Sequence, residues 1–327
     1  MRRWLLLGAL LGGALAQKPQ VVIGTGGVGG VYFYYGTAIA EILNKGGAVQ
    51  AQAMQSGGSM ENLLLLRDRT DPARGLYYCG TALPDAVLLA FQGEERFQGK
   101  PAPVRILFTM YPNYFHVVTT EDSGIRVLQD LKGKRVSTEV PGGIIEYEAR
   151  ILMAAAIPGF DPRVHFGKWE RVRVAESAQM LSEGNLDAFF WSGGLPTGSL
   201  VELSGSLARK GKRLFLVPLP PQSTPVQMLK ARFPGVVDTG TIPKSVYNTR
   251  YDTPTLTFWN VFVCPESLPE EVAYAMVKAV FENLSLLHTA VAPARDTTLE
   301  NAVRSRGGKV PYHEGAVRYF RERGVWR

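Results

Sequence analysis

The sequence predicts an α/β fold in two lobes with a ligand cleft between them, on two observations. Short β-branched runs alternate with helical stretches, and the alternation restarts partway along the chain. Two long extended runs, near 115–120 and 255–264, are placed to carry the chain from one unit to the other and back. The first lobe is then discontinuous, 17–118 and 255–327, and the second is continuous, 119–254. The 327 residues leave room for two separate cores. With 46% hydrophobic and 20% charged residues, the composition is that of a folded chain and argues against disorder.

The N-terminus comes first. Arg2 and Arg3 precede an apolar run from Trp4 to Ala16, which closes on Ala14-Leu15-Ala16. This is the layout of a cleaved secretory signal peptide over residues 1–16, and the run falls short of the ~20 residues a spanning helix needs. The mature chain is expected outside the cytoplasm, in the periplasm or its equivalent. Val21 to Gly24 reads as a strand, Tyr32 to Asn44 as a helix stopped by Gly46 and Gly47, and Val49 to Gln55 as a strand. Ser59 is expected to cap a helix over Met60 to Arg67, followed by a strand at Leu76 to Cys79 and a helix at Pro84 to Phe91.

Val104 to Met110 and Phe115 to Thr120 are apolar runs that Tyr111-Pro112-Asn113 is expected to break. The pattern then restarts. A short helix at Val127 to Leu131 leads to a strand at Arg135 to Thr138 and a helix at Ile144 to Ala156. Further helices are expected at Val174 to Glu183 and near Thr197 to Leu207, with strands at Ala188 to Trp191 and Leu214 to Val217. Thr255 to Cys264 alternates as a long strand. Glu270 to His288 is expected as the longest helix, and His313 to Arg323 as the last.

The formal charge of +7 falls to +5 without Arg2 and Arg3. The basic residues are scattered; Arg126, Lys132, Lys134 and Arg135 flank a turn. That excludes a nucleic-acid footprint and leaves a mild field favourable to anions. Cys79 and Cys264 end apolar strand-like runs, where inert buried thiols are favoured, although an exported chain could join them.

Gly24-Thr25-Gly26-Gly27-Val28-Gly29 fits G-x-G-x-x-G between a strand and a helix. A dinucleotide also requires an acidic residue about 20 positions on, and the second strand carries none. Ser56-Gly57-Gly58-Ser59 and Pro141-Gly142-Gly143 repeat the glycine-rich design before a helix. Each of the three loops can offer backbone N–H groups and a helix dipole to an anion. The four histidines show no metal-ligand spacing and no nucleophile elbow is present, so neither catalysis, a metal nor a cofactor is expected.

The segments Thr25-Gly-Gly-Val-Gly-Gly-Val-Tyr32, Gln55-Ser-Gly-Gly-Ser-Met-Glu-Asn62 and Asp187-Ala-Phe-Phe-Trp-Ser-Gly-Gly-Leu-Pro-Thr197 resemble the TAXI family, the extracytoplasmic solute receptors of one class of TRAP transporters. Asp130-Leu-Lys-Gly-Lys-Arg-Val136, Leu268-Pro-Glu-Glu-Val272, Phe281-Glu-Asn283 and His313-Glu-Gly-Ala316 are similar too, so the resemblance covers the whole mature chain. It implies a type II periplasmic-binding-protein fold without catalysis, ligands such as glutamate or 2-oxoglutarate, and TRAP-type permease subunits as partners. The expected receptor is a monomer.

Carried over by motif, the binding candidates are Gly27, Val28 and Tyr32 in the first loop and Ser56 and Ser59 in the second. Gly142, Gly143, Ile144 and Ile145 serve from the third, with Trp191, Ser192, Thr197 and Tyr247. The family pattern has threonines where Val28 and Val31 stand, and hydroxyl residues near Ile144 and Ile145. Those departures, with no Arg or Lys inside the loops, predict a monoanion with an apolar body over a dicarboxylate. Two other functions fit parts of the pattern: a nucleotide-dependent oxidoreductase using the Gly24–Gly29 loop, and a sensor domain with a separate membrane partner.

Overall fold

The computed structural model describes residues 18–326, so the expected signal peptide at 1–16 lies outside the described residues. The described residues open with three strand–helix units: β1 (Gln20–Gly24), α1 (Val31–Gly46), β2 (Gln50–Met54), α2 (Ser59–Arg69), β3 (Leu76–Ala82) and α3 (Pro84–Gln92). β1 lies between β2 and β3 and runs parallel to both. α1 forms because Val31, Tyr35, Ile39, Ile42 and Leu43 repeat at helical spacing and turn one face to the sheet. It stops at Gly47, whose φ of 72° suits a left-handed cap.

β4 (Val104–Thr120) follows, then β5 (Arg135–Ser137), α4 (Ile145–Ala156), α5 (Pro162–His165), β6 (Lys168–Glu170), α6 (Val174–Glu183), β7 (Ala188–Gly193), α7 (Gly198–Arg209), β8 (Leu214–Leu216), α8 (Thr224–Arg232), β9 (Val237–Ile242) and α9 (Lys244–Tyr247). β5 is parallel to β6 and β7, which repeats the opening motif. β10 (Thr253–Pro265), α10 (Glu270–Phe281), α11 (Leu284–Ala290) and α12 (Glu314–Glu322) complete the described chain.

All ten strands form one sheet in the order β2-β1-β3-β10-β4-β7-β5-β6, with β8 paired to β4 and β9 to β10. The two long strands tie the parallel ends together. β10 pairs antiparallel with β3 at Val261–Val263 and, further back, with β9 at Thr253–Phe258. β4 leaves the β3 side of the sheet and pairs antiparallel with β7 at Tyr114–Val118. The main core lies where these strands run together, with Phe108 stacked on Phe262 at 5.2 Å and Phe281 edge-on to Phe108 at 5.4 Å. A smaller core gathers Val118, Phe189, Leu200, Leu203, Leu214 and Tyr247.

Several expectations need correction. Tyr111-Pro112-Asn113 does not break the chain: β4 is continuous, and Pro112 sits opposite Trp259 beside a register shift, where a missing N–H is tolerated. Gly58 caps α2, and Ser59 is its first helical residue. The expected long helix over 270–288 is two, parted at Glu282 and Asn283, where the Asn283 amide donates back to Ala279 O at 2.8 Å; α1 is the longest helix described. Strands β6 and β9 and helix α8 were not expected. Cys79 and Cys264 are not free thiols: they form a disulfide between neighbouring β3 and β10, 185 residues apart in sequence.

Candidate functional site

The three glycine loops converge on one cavity. The cavity has a volume of about 60 Å³ and is walled from the first half of the chain by Gly27, Gly30, Val31, Tyr32, Gly58, Ser59 and Leu83, and from the middle by Glu139, Gly143, Ile144, Ile145 and Trp191. Tyr111 and Asn113 of β4 and Ser192 of β7 complete the lining. The loops meet because they lack side chains: a Cβ on Gly57 would stand 2.6 Å from the Gly142 Cα. The Glu61 N–H donates to Gly142 O at 3.0 Å across this contact, and Ser199 Oγ donates to Gly29 O at 3.4 Å. Gly29 itself has a φ of 89°, which favours glycine.

Beneath the loops, Asn62 locks their backbone. Its Nδ2 donates to Thr25 O at 2.7 Å and Thr81 O at 2.9 Å, while Oδ1 accepts from Ser56 Oγ at 2.6 Å. A second amide network holds the floor. Asn260 Nδ2 donates to Tyr111 O at 2.8 Å and to Asn113 Oδ1 at 2.7 Å, and its Oδ1 accepts from the Tyr32 hydroxyl. Burial raises the Tyr32 and Tyr111 phenols well above their ordinary value, so both stay neutral donors.

Sequence reasoning missed the charged members. Arg173 reaches in from the turn before α6, and its Nη1 donates to Ser56 O at 2.9 Å. Among the described residues lining the cavity it is the cation. It stands at the N-cap of α6, where the helix dipole disfavours positive charge, and that misfit was its signal in the sequence. Glu139 has a φ of 68° and is buried; Oε1 accepts from Val174 N–H and Oε2 from Val140 N–H, both at 2.8 Å. Burial raises its carboxyl to about 7, against the pull of those two N–H groups and of Arg173.

Of the sequence-derived candidates, the structure brings Gly27, Tyr32, Ser59, Gly143, Ile144, Ile145, Trp191 and Ser192 to the cavity wall. Five are set elsewhere. Val28 is 50% exposed on the outer side of its loop. Ser56 turns inward to Thr25 O at 3.0 Å and to Asn62. Gly142 faces Gly57. Thr197 is buried behind Trp191, accepting its indole N–H at 3.0 Å, and Tyr247 lies behind Thr197, accepting its backbone N–H at 2.9 Å. These last two orient Trp191 from behind. The expected backbone donors also change, because the N–H groups of Gly30, Gly57, Gly58 and Gly143 already donate within the protein. Arg173 lines the cavity, as do Tyr111 and Ser192, whose buried hydroxyls have no hydrogen-bond partner among the described residues.

The sequence model of the NMT1-like family matches residues 23–324, and the chain belongs to that family. The fold is similar to that of a binding-protein component of an ABC phosphonate transporter from Pseudomonas aeruginosa, with a TM-score of 0.55, 12% identity, and 85% of this chain and 79% of that one covered. It is also similar to MatC from Rhodopseudomonas palustris with bound malate, with a TM-score of 0.52, 13% identity, and 95% and 98% of the two chains covered. At such identities the likeness concerns the fold: a mixed α/β protein of the periplasmic-binding-protein kind.

Proposed function

We propose that this chain is an extracytoplasmic solute receptor that captures a small organic acid and hands it to a TRAP-type permease. One observation carries the proposal: a cavity at the meeting of three glycine loops, lined by Arg173 and by Tyr111 and Ser192, whose hydroxyls have no hydrogen-bond partner among the described residues. Arg173 pairs the ligand carboxylate, a charge-assisted contact about twice as strong as a neutral one. The Tyr111 and Ser192 hydroxyls take a further acceptor on the ligand. Val31, Leu83, Ile144, Ile145 and Trp191 face its remaining surface, where each Å² of apolar burial contributes ~25 cal/mol. A second carboxylate would have to share this lining with Glu139, so the preferred ligand is a monoanion with an apolar body.

In this account 17–118 with 255–327 form one lobe and 119–254 the other, β4 and β10 are the connections, and the ligand closes the lobes on each other. TRAP partnership rests on the motif resemblance. Uptake into reconstituted vesicles that needs ATP would move the partner to the ABC class. A thermal-shift screen of small organic acids tests the receptor function: a ligand at a hundredfold excess over its Kd stabilises the fold by about 2.7 kcal/mol. A 2-oxo or 2-hydroxy monoacid should raise the melting temperature. If sugars, amines or nucleotides do so and no carboxylate does, the proposal is wrong.

A further inference from the structure

Four cations gather away from the solute cavity. Lys230 of α8, with Arg304, Arg306 and Lys309 from the segment ahead of α12, line a groove of about 690 Å³, against about 60 Å³ for the cavity. No residue lines both. Among the described residues none of the four cations is in an ion pair. The one carboxylate in the lining, Asp238, accepts from the Thr239 N–H at 2.8 Å. The basic segment is held at both ends: Ser305 Oγ accepts from Thr109 Oγ1 at 3.0 Å, and Pro311 O accepts from the Ile106 N–H at 3.0 Å. Arg304 is fixed further by standing over the Trp259 ring at 4.2 Å. Cations presented on a fixed frame cost less to order when a partner binds.

The rest of the lining is largely apolar. Val87, Val261 and Val310 are buried and Trp259 is half-buried, while Arg304, Arg306 and Lys309 are exposed. Recessed apolar groups receive a side chain; they do not insert into a bilayer. β10 turns Trp259 and Val261 to the groove, and the Asn260 between them bonds to Tyr32, Tyr111 and Asn113 of the cavity. A molecule seated in the groove therefore touches the strand that carries the cavity floor.

We propose that this groove is a docking site for an acidic segment of a partner protein, one with an aromatic or aliphatic side chain set among its carboxylates. Charge decides the occupant. Exposed cations without acidic partners, set around an apolar lining, complement carboxylates set around an apolar anchor. A small-solute pocket is lined mainly by apolar groups with a few polar ones, and four cations exceed that. The chain's own N-terminal sequence has the wrong sign, since residues 1–17 hold Arg2 and Arg3 and no Asp or Glu. That the partner is the permease rests on the receptor function above; the docking site itself does not.

Fluorescence anisotropy of labelled peptides on ligand-free protein tests the site. The probes are Asp-Glu-Phe-Glu-Asp, Asp-Glu-Gly-Glu-Asp and Ser-Gly-Phe-Gly-Ser. The first should bind most tightly, the second more weakly and the third not at all. Binding should weaken steeply between about 0.01 and 1 M salt, as the Debye length falls from about 30 to 3 Å. Arg304→Glu with Lys309→Glu should weaken it about tenfold or more, because like charges then meet. If that variant fails to fold, Lys230→Glu with Lys309→Glu should do the same and leaves the Arg304–Trp259 stack in place. No binding of either acidic peptide, or equal binding by wild type and variant, overturns the docking site. Equal affinity for the Phe and Gly peptides overturns the apolar anchor. With the peptides inert, phosphatidylglycerol vesicles that bind the wild type alone would give the groove to a membrane surface. A salt-sensitive dimer in sedimentation would give it to a second copy. Either result overturns the proposal. Failure of every acid in the thermal-shift screen defeats the receptor function and leaves the docking site standing.

Discussion

Where β3, β10 and β4 run side by side, the contacts are apolar and covalent: Phe108 on Phe262, and the Cys79–Cys264 disulfide. Where the glycine loops meet, the contacts are polar: Glu61 N–H to Gly142 O and Arg173 to Ser56 O. The first region loses its stabilisation if water enters. The second exchanges each hydrogen bond for one to water at a net loss of only about 0.5–1.5 kcal/mol. On these contacts the loops part more readily than the long strands, as the proposed capture and release of a solute would require.

The comparison breaks most easily at the long strands. Phe262→Ala should destabilise the fold by about 3–5 kcal/mol, because it deletes a buried ring packed on Phe108 and leaves a cavity. Calorimetric melting would register the loss with or without ligand. A near-wild-type melting temperature would mean that the strands are not where the fold is held.

Gly57→Ala sharpens the other side. Its new methyl meets the Gly142 Cα at 2.6 Å, a contact present only when the loops touch. Overpacking of this kind costs about 1–3 kcal/mol. If the loops part in the free protein, that cost falls on closure: affinity for the acid drops roughly 5- to 150-fold on the same energy scale, while ligand-free melting hardly moves. An equal loss in ligand-free stability would show that the seam does not open.

Much of this frame was legible in the sequence. The strand–helix alternation located β1, α1, β2, α2 and β3, since each is a short run with its own local pattern, and α1 has a glycine stop. It failed where tertiary pairing overrides local signals. Pro112 looked like a break, but β10 supplies an irregular partner that accepts it. The Ser223-Thr224-Pro225 start of α8 was a readable helix signal that periodicity alone passed over. The cavity lining was half legible: glycine loops announce themselves, as Gly27, Gly143 and Ser59 did. Arg173 did not, because the carbonyl it holds belongs to Ser56, 117 positions away, and no spacing rule reaches across that distance. The Cys79–Cys264 bond was hidden for the same reason, since the adjacency of β3 and β10 is a property of topology.

The central claim is that Arg173 and the cavity between the glycine loops select a small organic acid. Isothermal titration calorimetry of a branched 2-oxo monoacid and of 2-oxoglutarate, on the wild type and on Arg173→Ala, tests it most directly. The account predicts tighter binding of the monoacid by the wild type. It also predicts a loss in Arg173→Ala of about 1.5–3 kcal/mol, the range for a hydrogen bond to a charged group. Tighter binding of 2-oxoglutarate would contradict the ligand class, and an Arg173→Ala protein that binds the acid as well as the wild type would contradict the site.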